Sequence, residues 1–285
     1  MDEIIKAISG DKFVSISVIS AREMVERARR IHDSSPVATA AVGRMLSAAA
    51  IIGSDMKKPD ASLTARINGG GPLGTIMVVT DYSGNARCYV QNTKVDLPKN
   101  TQGKLDVSGA VGKAGSLTVI RDLRGKMPYI GTTNLVSGGI AEDFAAYLSQ
   151  SEQIRAACAL GVHVARDRSV VAAGGFIARL LPGAPDHIIG ALEKNTARIG
   201  AVTGFLKKEA GADLLLGSVM DGFSPRIIGR GSVEYKCTCS RSRFLDALLS
   251  LDKSERDDIK SKAEPIEIKC QFCEAVHVFE VDEIS

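Results

Sequence analysis

The sequence predicts an α+β protein in three parts. These are an N-terminal domain with a mixed, largely antiparallel sheet packed by helices, a helical linker, and a small C-terminal module of two short helices plus a β-hairpin knuckle. Three observations carry this reading. Between residues 62 and 135, β-prone segments alternate with glycine- and asparagine-containing turns, as antiparallel strands do. Pro182-Gly183-Ala184-Pro185 then breaks the chain ahead of a stretch with apolar residues at helical spacing. Finally, four of the six cysteines fall in the last 49 residues, as Cys237-Thr-Cys239 and Cys270-Gln-Phe-Cys273, and mark a separate unit. The expected boundaries are 1–181 for the domain, 182–232 for the linker and 233–285 for the module.

Along the chain, alternation from Phe13 to Ile19 puts Val14, Ile16 and Val18 on one face of a half-buried opening strand. Ser20 and Glu23 stand at capping-box spacing, so a helix is expected there, carrying Met24, Val25 and Ala28 and ending near His32. A second helix is expected from Pro36, whose missing N–H costs nothing in a first turn, to Gly53, a residue type that ends helices readily. Its apolar run, Val37 to Ile52, is interrupted by Arg44 and falls short of the roughly 20 residues that span a bilayer, so it reads as a buried helix. Strands are expected at Leu63–Asn68, Thr75–Thr80 and Cys88–Gln91, with a weaker echo at Leu117–Arg121 and Tyr129–Thr133. A helix near Asp143–Ser149 and strands at Ile154–Ala165 and Val170–Leu181 complete the domain. In the linker, Asp186 is the expected cap of a helix bearing Ile188, Ile189, Leu192, Ile199, Val202 and Leu206. The apolar Leu214-Leu215-Leu216 and the glycine-rich Gly229–Gly231 lead on to the cysteines without predicting an element.

The 285 residues are 45 % apolar and 24 % charged, the balance of an ordinary globular protein rather than a disordered or membrane one. The N-terminal MDEIIKAISG carries two acids and lacks the basic and apolar regions of a secretory signal, which makes the cytoplasm the expected compartment. In that reducing setting clustered cysteines read as metal or redox groups rather than structural disulfides. Net charge is +3 but unevenly shared: from Cys237 onward there are 7 Lys and Arg against 11 Asp and Glu, and before it 29 against 22.

Two motifs fail as sites. Gly69–Gly74 has no following Lys-Ser or Lys-Thr and is flanked by strands, so it reads as a wide hairpin turn rather than a phosphate loop. Cys158 and His163 are odd-spaced on one strand and point to opposite faces, which excludes a nucleophile-base pair. The late cysteines differ. Cys270 and Cys273 sit between Ile266-Glu-Ile-Lys and Val276-His-Val-Phe, at the tip of an expected hairpin. Cys237 and Cys239 supply two further sulfurs, 30 residues upstream. That interval suits two short helices, one with Leu245, Leu248 and Leu249 and one beginning at Asp252 with Glu255 at the capping-box position. Cys237, Cys239, Cys270 and Cys273 are therefore expected to bind one Zn²⁺ tetrahedrally, with His277 as the substitute ligand. Lys236, Arg241, Arg243 and Lys269 lie beside them in sequence and are expected to offset the thiolate charge. A disulfide between Cys237 and Cys239 would be strained, because residues two apart in an extended strand have Cα atoms about 6.6 to 7.2 Å apart. Strained disulfides are readily reduced again, as a reversible sensor requires.

At these residues the chain resembles the heat-shock protein 33 family of bacterial redox-regulated holdase chaperones. The resemblance rests on KCTCSRSRFLDALLSL and IEIKCQFC, with support from GGGPLGTI at Gly69 and GGFIARLLPGA from Gly174 to Ala184. It implies a non-enzymatic, ATP-independent chaperone whose four cysteines hold zinc in the reduced, inactive state. Oxidation is then expected to join Cys237 to Cys239 and Cys270 to Cys273, release zinc, and unfold the module and linker. The exposed apolar surface would hold unfolding client proteins, and the oxidised form would be a homodimer. Neither nucleic acid nor membrane is an expected partner. A nucleic-acid-binding zinc ribbon would want a basic module with stacking aromatics, and this one is acidic. A thiol-disulfide oxidoreductase would want Cys-x-x-Cys opening a helix, and here it lies between strands.

Overall fold

The computed structural model describes residues 1–125, 127–262 and 264–284. It divides into two compact units, Met1–Tyr235 and Lys236–Ser285.

In the first unit every named strand pairing is antiparallel, and the strands form two five-stranded sheets. One sheet runs in the order β10 (Arg226–Ser232), β1 (Glu3–Ile8), β2 (Val14–Ser20), β9 (Val170–Leu180), β8 (Ala156–Val164). The other runs β5 (Ala86–Val90), β4 (Ile76–Asp81), β3 (Ser62–Gly70), β6 (Gly112–Asp122), β7 (Tyr129–Asn134). Between them lies helix α2 (Pro36–Gly53), which packs on strands of both. Nearly all of it is buried, and its composition follows from that position. A Cβ added at Gly43 would come within 2.7 Å of Val162 and 2.8 Å of Val25, and one at Gly53 within 2.5 Å of Thr80. At these two positions only glycine lets the neighbours approach so closely. Ser47, fully buried, returns its hydroxyl to Gly43 O at 2.8 Å and so brings no unpaired polar group into the core.

Helix α1 (Arg22–His32) starts where expected but is capped differently. Ser20 is the last residue of β2, and the helix N–H groups of Glu23 and Met24 donate instead to the Asp2 carboxylate, at 3.2 and 2.7 Å. A cap from 21 residues upstream leaves no local pattern to read. The short α3 (Val107–Val111) and α4 (Ala141–Ser151) complete this side. Gly69–Gly74 does form the turn between β3 and β4, for a specific reason: a Cβ on Gly69 would lie 2.3 Å from the carbonyl oxygen of Gly112. Two backbones touch there.

The other face of the first sheet is covered by α5 (Asp186–Arg198), α6 (Val202–Leu206) and α7 (Gly211–Val219). Ile188, Leu192, Ile199 and Val202 are buried against Ile5, Val14, Ile16, Val18 and Phe176. The helix expected to continue to Leu206 breaks at Gly200, whose φ of +59° no helix accommodates, and Asp186 is its first residue while Pro185 stands at the cap. The missed helix α7 spans Leu214-Leu215-Leu216, three consecutive apolar residues that give no helical period.

The second unit contains α8 (Arg241–Leu249), α9 (Lys253–Ser261), the hairpin β11 (Ile266–Lys269) with β12 (Val276–Phe279), and a 3₁₀ turn at Val281–Ile284. Asp252 and Glu255 cap α9 reciprocally, as expected. Among the described residues its buried apolar cluster is Leu248, Phe279 and Ile284, ringed by half-buried residues such as Phe244, Leu251 and Ile268.

Glu26 of α1 ties the first unit together. It is 6 % exposed, takes Arg29 at 2.8 and 2.7 Å and Arg30 at 2.7 Å, and accepts the Val170 N–H of β9 at 3.0 Å. These bonds, led by that of Arg29, hold its carboxyl down to about 2. A depressed carboxyl contributes its full stability above the unfolded pKa near 4.5 and loses it as pH falls towards 2. Glu26→Gln should therefore lower stability by about 1.5 to 3 kcal/mol at neutral pH. Urea unfolding at pH 7 and near pH 3 should show the wild type and variant converging at the lower pH; a constant gap would contradict this role.

Candidate metal centre

The structure brings Cys237, Cys239, Cys270 and Cys273 together, with all four Sγ atoms within 4.8 Å of one another. Cys237 Sγ lies 3.8 Å from Cys270 Sγ, and Cys239 Sγ 3.3 Å from Cys273 Sγ. A tetrahedron with Zn–S bonds of about 2.3 Å has edges of about 3.8 Å, so the spacing and the donor type fit one zinc ion.

The hairpin builds half of this cluster. Cys270 follows β11 directly, and its N–H donates to Ala275 O at 2.8 Å, while Glu274 N–H donates back to Cys270 O at 2.9 Å. Closing so tight a turn puts Glu274 at φ +62°, the left-handed conformation that glycine or asparagine adopts more cheaply. Glu274 also pairs with Lys269 across the turn. Burial raises the Cys270 thiol, but the N–H groups of Phe272 and Cys273, which point at its sulfur, together with hydrogen bonds from the Cys273 and Cys239 side chains leave it lowered on balance. Cys270 is the buried member of the four, and these amides stabilise its thiolate. Burial raises Cys273, with the Ala275 N–H acting against it.

The other half comes from the segment before α8. Ser240 caps that helix by accepting the Arg243 N–H, and Arg243 Nη1 donates to Thr238 O at 3.0 Å, holding the loop between Cys237 and Cys239. Arg243 is thus tied to the residue between two of the sulfurs. Arg241 is engaged elsewhere, on Val278 O at 3.0 Å, on Glu283 and over the Phe279 ring, and Lys269 is on Glu274. Main-chain N–H groups, which no residue pattern announces, take part of the role expected of those side chains. His277 is not in the cluster; its ring lies 5.1 Å from that of Phe244.

The remaining cysteines are elsewhere. Cys88 is fully buried and its thiol is pushed up to about 12 by burial. Burial pushes Cys158 up as well. Cys158 packs against the cluster that contains α2, and the intervening strand geometry keeps His163 on the opposite face. Next to Cys88 stands Tyr235, 2 % exposed and the last residue of the first unit. Its hydroxyl donates to Cys88 O at 3.3 Å and lies 3.2 Å from His32 Nε2.

Metal analysis of reduced protein should give one zinc per chain, and Co²⁺ in its place should give sulfur-to-metal charge-transfer absorption. Cys270→Ser should lose the metal and the ordered amide spectrum of residues 236–285, while residues 1–181 stay structured because their core is separate. Folded protein with well under one ion per chain would overturn the assignment.

The family model described as "Hsp33 protein" matches residues 2–280. A 33 kDa chaperonin of Clostridioides difficile is 40 % identical over 283 residues, covering 99 % of this chain and 97 % of its own. One of Bacillus pumilus is 38 % identical over 285 residues, covering 100 % and 97 %. The crystal structure of the 33 kDa chaperonin (heat shock protein 33 homolog) of Thermotoga maritima superposes with a TM-score of 0.88 at 34 % identity, covering 99 % of this chain and 96 % of that one. Likeness of sequence and of fold, both running from end to end, establishes that the chain belongs to the Hsp33 family.

Proposed function

We propose that the chain is a redox-regulated, ATP-independent holdase chaperone of the cytoplasm, inactive when reduced and activated by oxidation of its four clustered cysteines. The observation that carries this is the convergence of four sulfurs, with no imidazole or carboxylate in the same cluster among the described residues, in a unit whose apolar cluster, among those residues, centres on Leu248, Phe279 and Ile284. Cys237, Cys239, Cys270 and Cys273 would hold one Zn²⁺, which when bound supplies folding energy to the unit and keeps the sulfurs as thiolates. Thiolates are the form that attacks peroxide. Each disulfide formed takes two electrons from two sulfurs and passes them to one peroxide molecule, whose oxygens leave as water. Cys237 would pair with Cys239, and Cys270 with Cys273. No thiolate then remains to hold a metal, and so small a core does not keep the unit folded alone.

Loss of that unit would loosen residues 182–232 in turn. The segment 186–223, which contains α5–α7, supplies ten of the seventeen buried residues of the apolar cluster on the outer face of the first sheet, so its departure uncovers Ile5, Val14, Ile16, Val18 and Phe176 as well as its own apolar sides. This surface would hold unfolding clients and bring two oxidised chains together as a homodimer. A second disulfide pattern is favoured by one observation: the sulfur contacts at 3.8 and 3.3 Å are crosswise, Cys237 with Cys270 and Cys239 with Cys273. In a tetrahedron all edges are similar, however, so separation does not rank the pairs.

Oxidised protein should suppress light scattering by an aggregating client, and reduced protein should not; equal behaviour of the two forms would refute the switch. Peptide mapping should find the two near-neighbour disulfides, with crosswise peptides predominating as the contrary result. Replacing Ile188 and Leu192 with polar residues should weaken the hold of α5 and give holdase activity even in the reduced form, since each buried aliphatic side chain contributes about 1.5 to 3 kcal/mol. Hydrogen exchange on oxidation should show protection lost over residues 186–285 and kept in the strands before Leu181. A linker that stays protected while clients are held places the client surface elsewhere.

A further inference from the structure

Strand β8 is an edge strand, paired only with β9. The Leu180 N–H donates to Arg155 O at 2.9 Å, which sets the alternation: the main-chain groups of Ala157, Ala159 and Gly161 turn towards β9, and those of Leu160 and Val162 turn away. Among the described residues no protein group receives the outward pairs of Leu160 and Val162. They face a groove of about 620 Å³ that runs along Ala159–Arg166, walled by α2, by the 99–105 loop and by the turn at Gly200–Thr203. Its lining carries Arg44, Lys99, Lys104 and Arg166 and no acidic residue. None of those four cations has a carboxylate within ion-pair distance among the described residues. Arg44 donates to Gly139 O at 2.9 Å and leaves its Nε without a partner. Between the cations the walls are apolar, with Ala40, Leu105 and Val202.

An unpaired strand edge invites another strand, and this one borders a groove lined by four cations. We infer that the β8 groove is a docking site for an extended, acidic and apolar segment of an unfolding protein, which adds to the sheet through the main chain of Leu160 and Val162 and places its carboxylates on Lys99, Lys104 and Arg166. The inference rests on the holdase reading and gives that reading a client surface and a client preference. A peptide fits better than a nucleic acid. Alternating N–H and C=O groups match a peptide main chain, and no Phe, Tyr or Trp lines the groove to stack a base. The eight residues from Ala159 to Arg166 accommodate a strand of about 26 Å. Part of one wall belongs to the segment that oxidation would release: a Cβ on Gly161 would lie 2.8 Å from Val202 and 2.9 Å from Thr203, so α6 covers Gly161 directly. Departure of α6 opens that wall and uncovers Gly161.

The probe is a fluorescein-labelled peptide of about eight residues alternating valine with glutamate, with a valine–lysine peptide as control, titrated by anisotropy into full-length protein in both redox states. The acidic peptide should bind, more tightly to oxidised protein. Lys99→Glu with Lys104→Glu, both exposed, should weaken it by about tenfold, as expected for two lost ion pairs replaced by repulsion, and should favour the control peptide. Val162→Pro, which removes an outward N–H at an edge position where proline is tolerated, should weaken both peptides. Unchanged affinity in the charge-reversed protein overturns the inference, as does binding of a short oligonucleotide in preference to the acidic peptide. If oxidised wild type prevents client aggregation and the charge-reversed protein does so equally well for an acidic client, the holdase reading stands and this groove is not its client surface. If the wild type binds peptide but never suppresses aggregation, the holdase reading is what fails.

Discussion

Everything in the first unit depends on one helix being narrow enough to lie between two sheets. Helix α2 has neighbours on both sides, so each of its residues is limited by the space that two backbones leave it. Its glycines and alanines are the consequence. The cost of enlarging Gly43 or Gly53 is set by atoms already less than 3 Å from where the new carbon would be. Both sheets take their spacing from this helix, and the first sheet is then left with an outer face that needs a second cover.

That second cover, α5–α7, differs in kind from α2. It lies on one side of one sheet, its turns are short, and one of them hinges on a glycine. The C-terminal unit is weaker still, since its largest shared feature is not apolar burial but four sulfurs held close together. Stability is thus graded along the chain, from a core enclosed on all sides, to a layer, to a cluster that needs a cross-link. A grading of this kind suits a protein whose activity would come from releasing parts of itself in order.

The sequence read well wherever structure is local. Pro36 to Gly53 was legible because a proline and a glycine bracket an apolar run, and Asp252 with Glu255 because a capping box lies within one helical turn. The Cys-x-Cys and Cys-x-x-Cys spacing identified the clustered sulfurs, since a hairpin knuckle leaves little else those residues can do. What escaped was long-range. Strand β10 is nearly all exposed and rich in glycine, and its place depends on pairing with β1, more than two hundred residues away. Strand β1 itself was missed, and so was the Asp2 cap of α1, for the same reason. The division of the strands into two sheets and the N–H groups around Cys270 are products of three-dimensional closure, which residue identity does not announce.

The position of Tyr235 has a consequence for any release of α5–α7. That segment is bounded by β9, which ends at Leu180, and by β10, which begins at Arg226, and both strands belong to the same sheet. As long as β10 keeps its place beside β1 and Tyr235 its place in the core, a freed α5–α7 is a loop anchored at both ends and not a loose tail. A loop of this length has about 3 kcal/mol less conformational freedom to gain than an untethered chain. Its two ends also keep it at high local concentration over the face it left. Where β10 stays paired, detachment is less favourable and return fast, so the sheet would be re-covered by its own segment as soon as nothing else occupied it; loosening of β10 with the rest of 182–232 removes this tether.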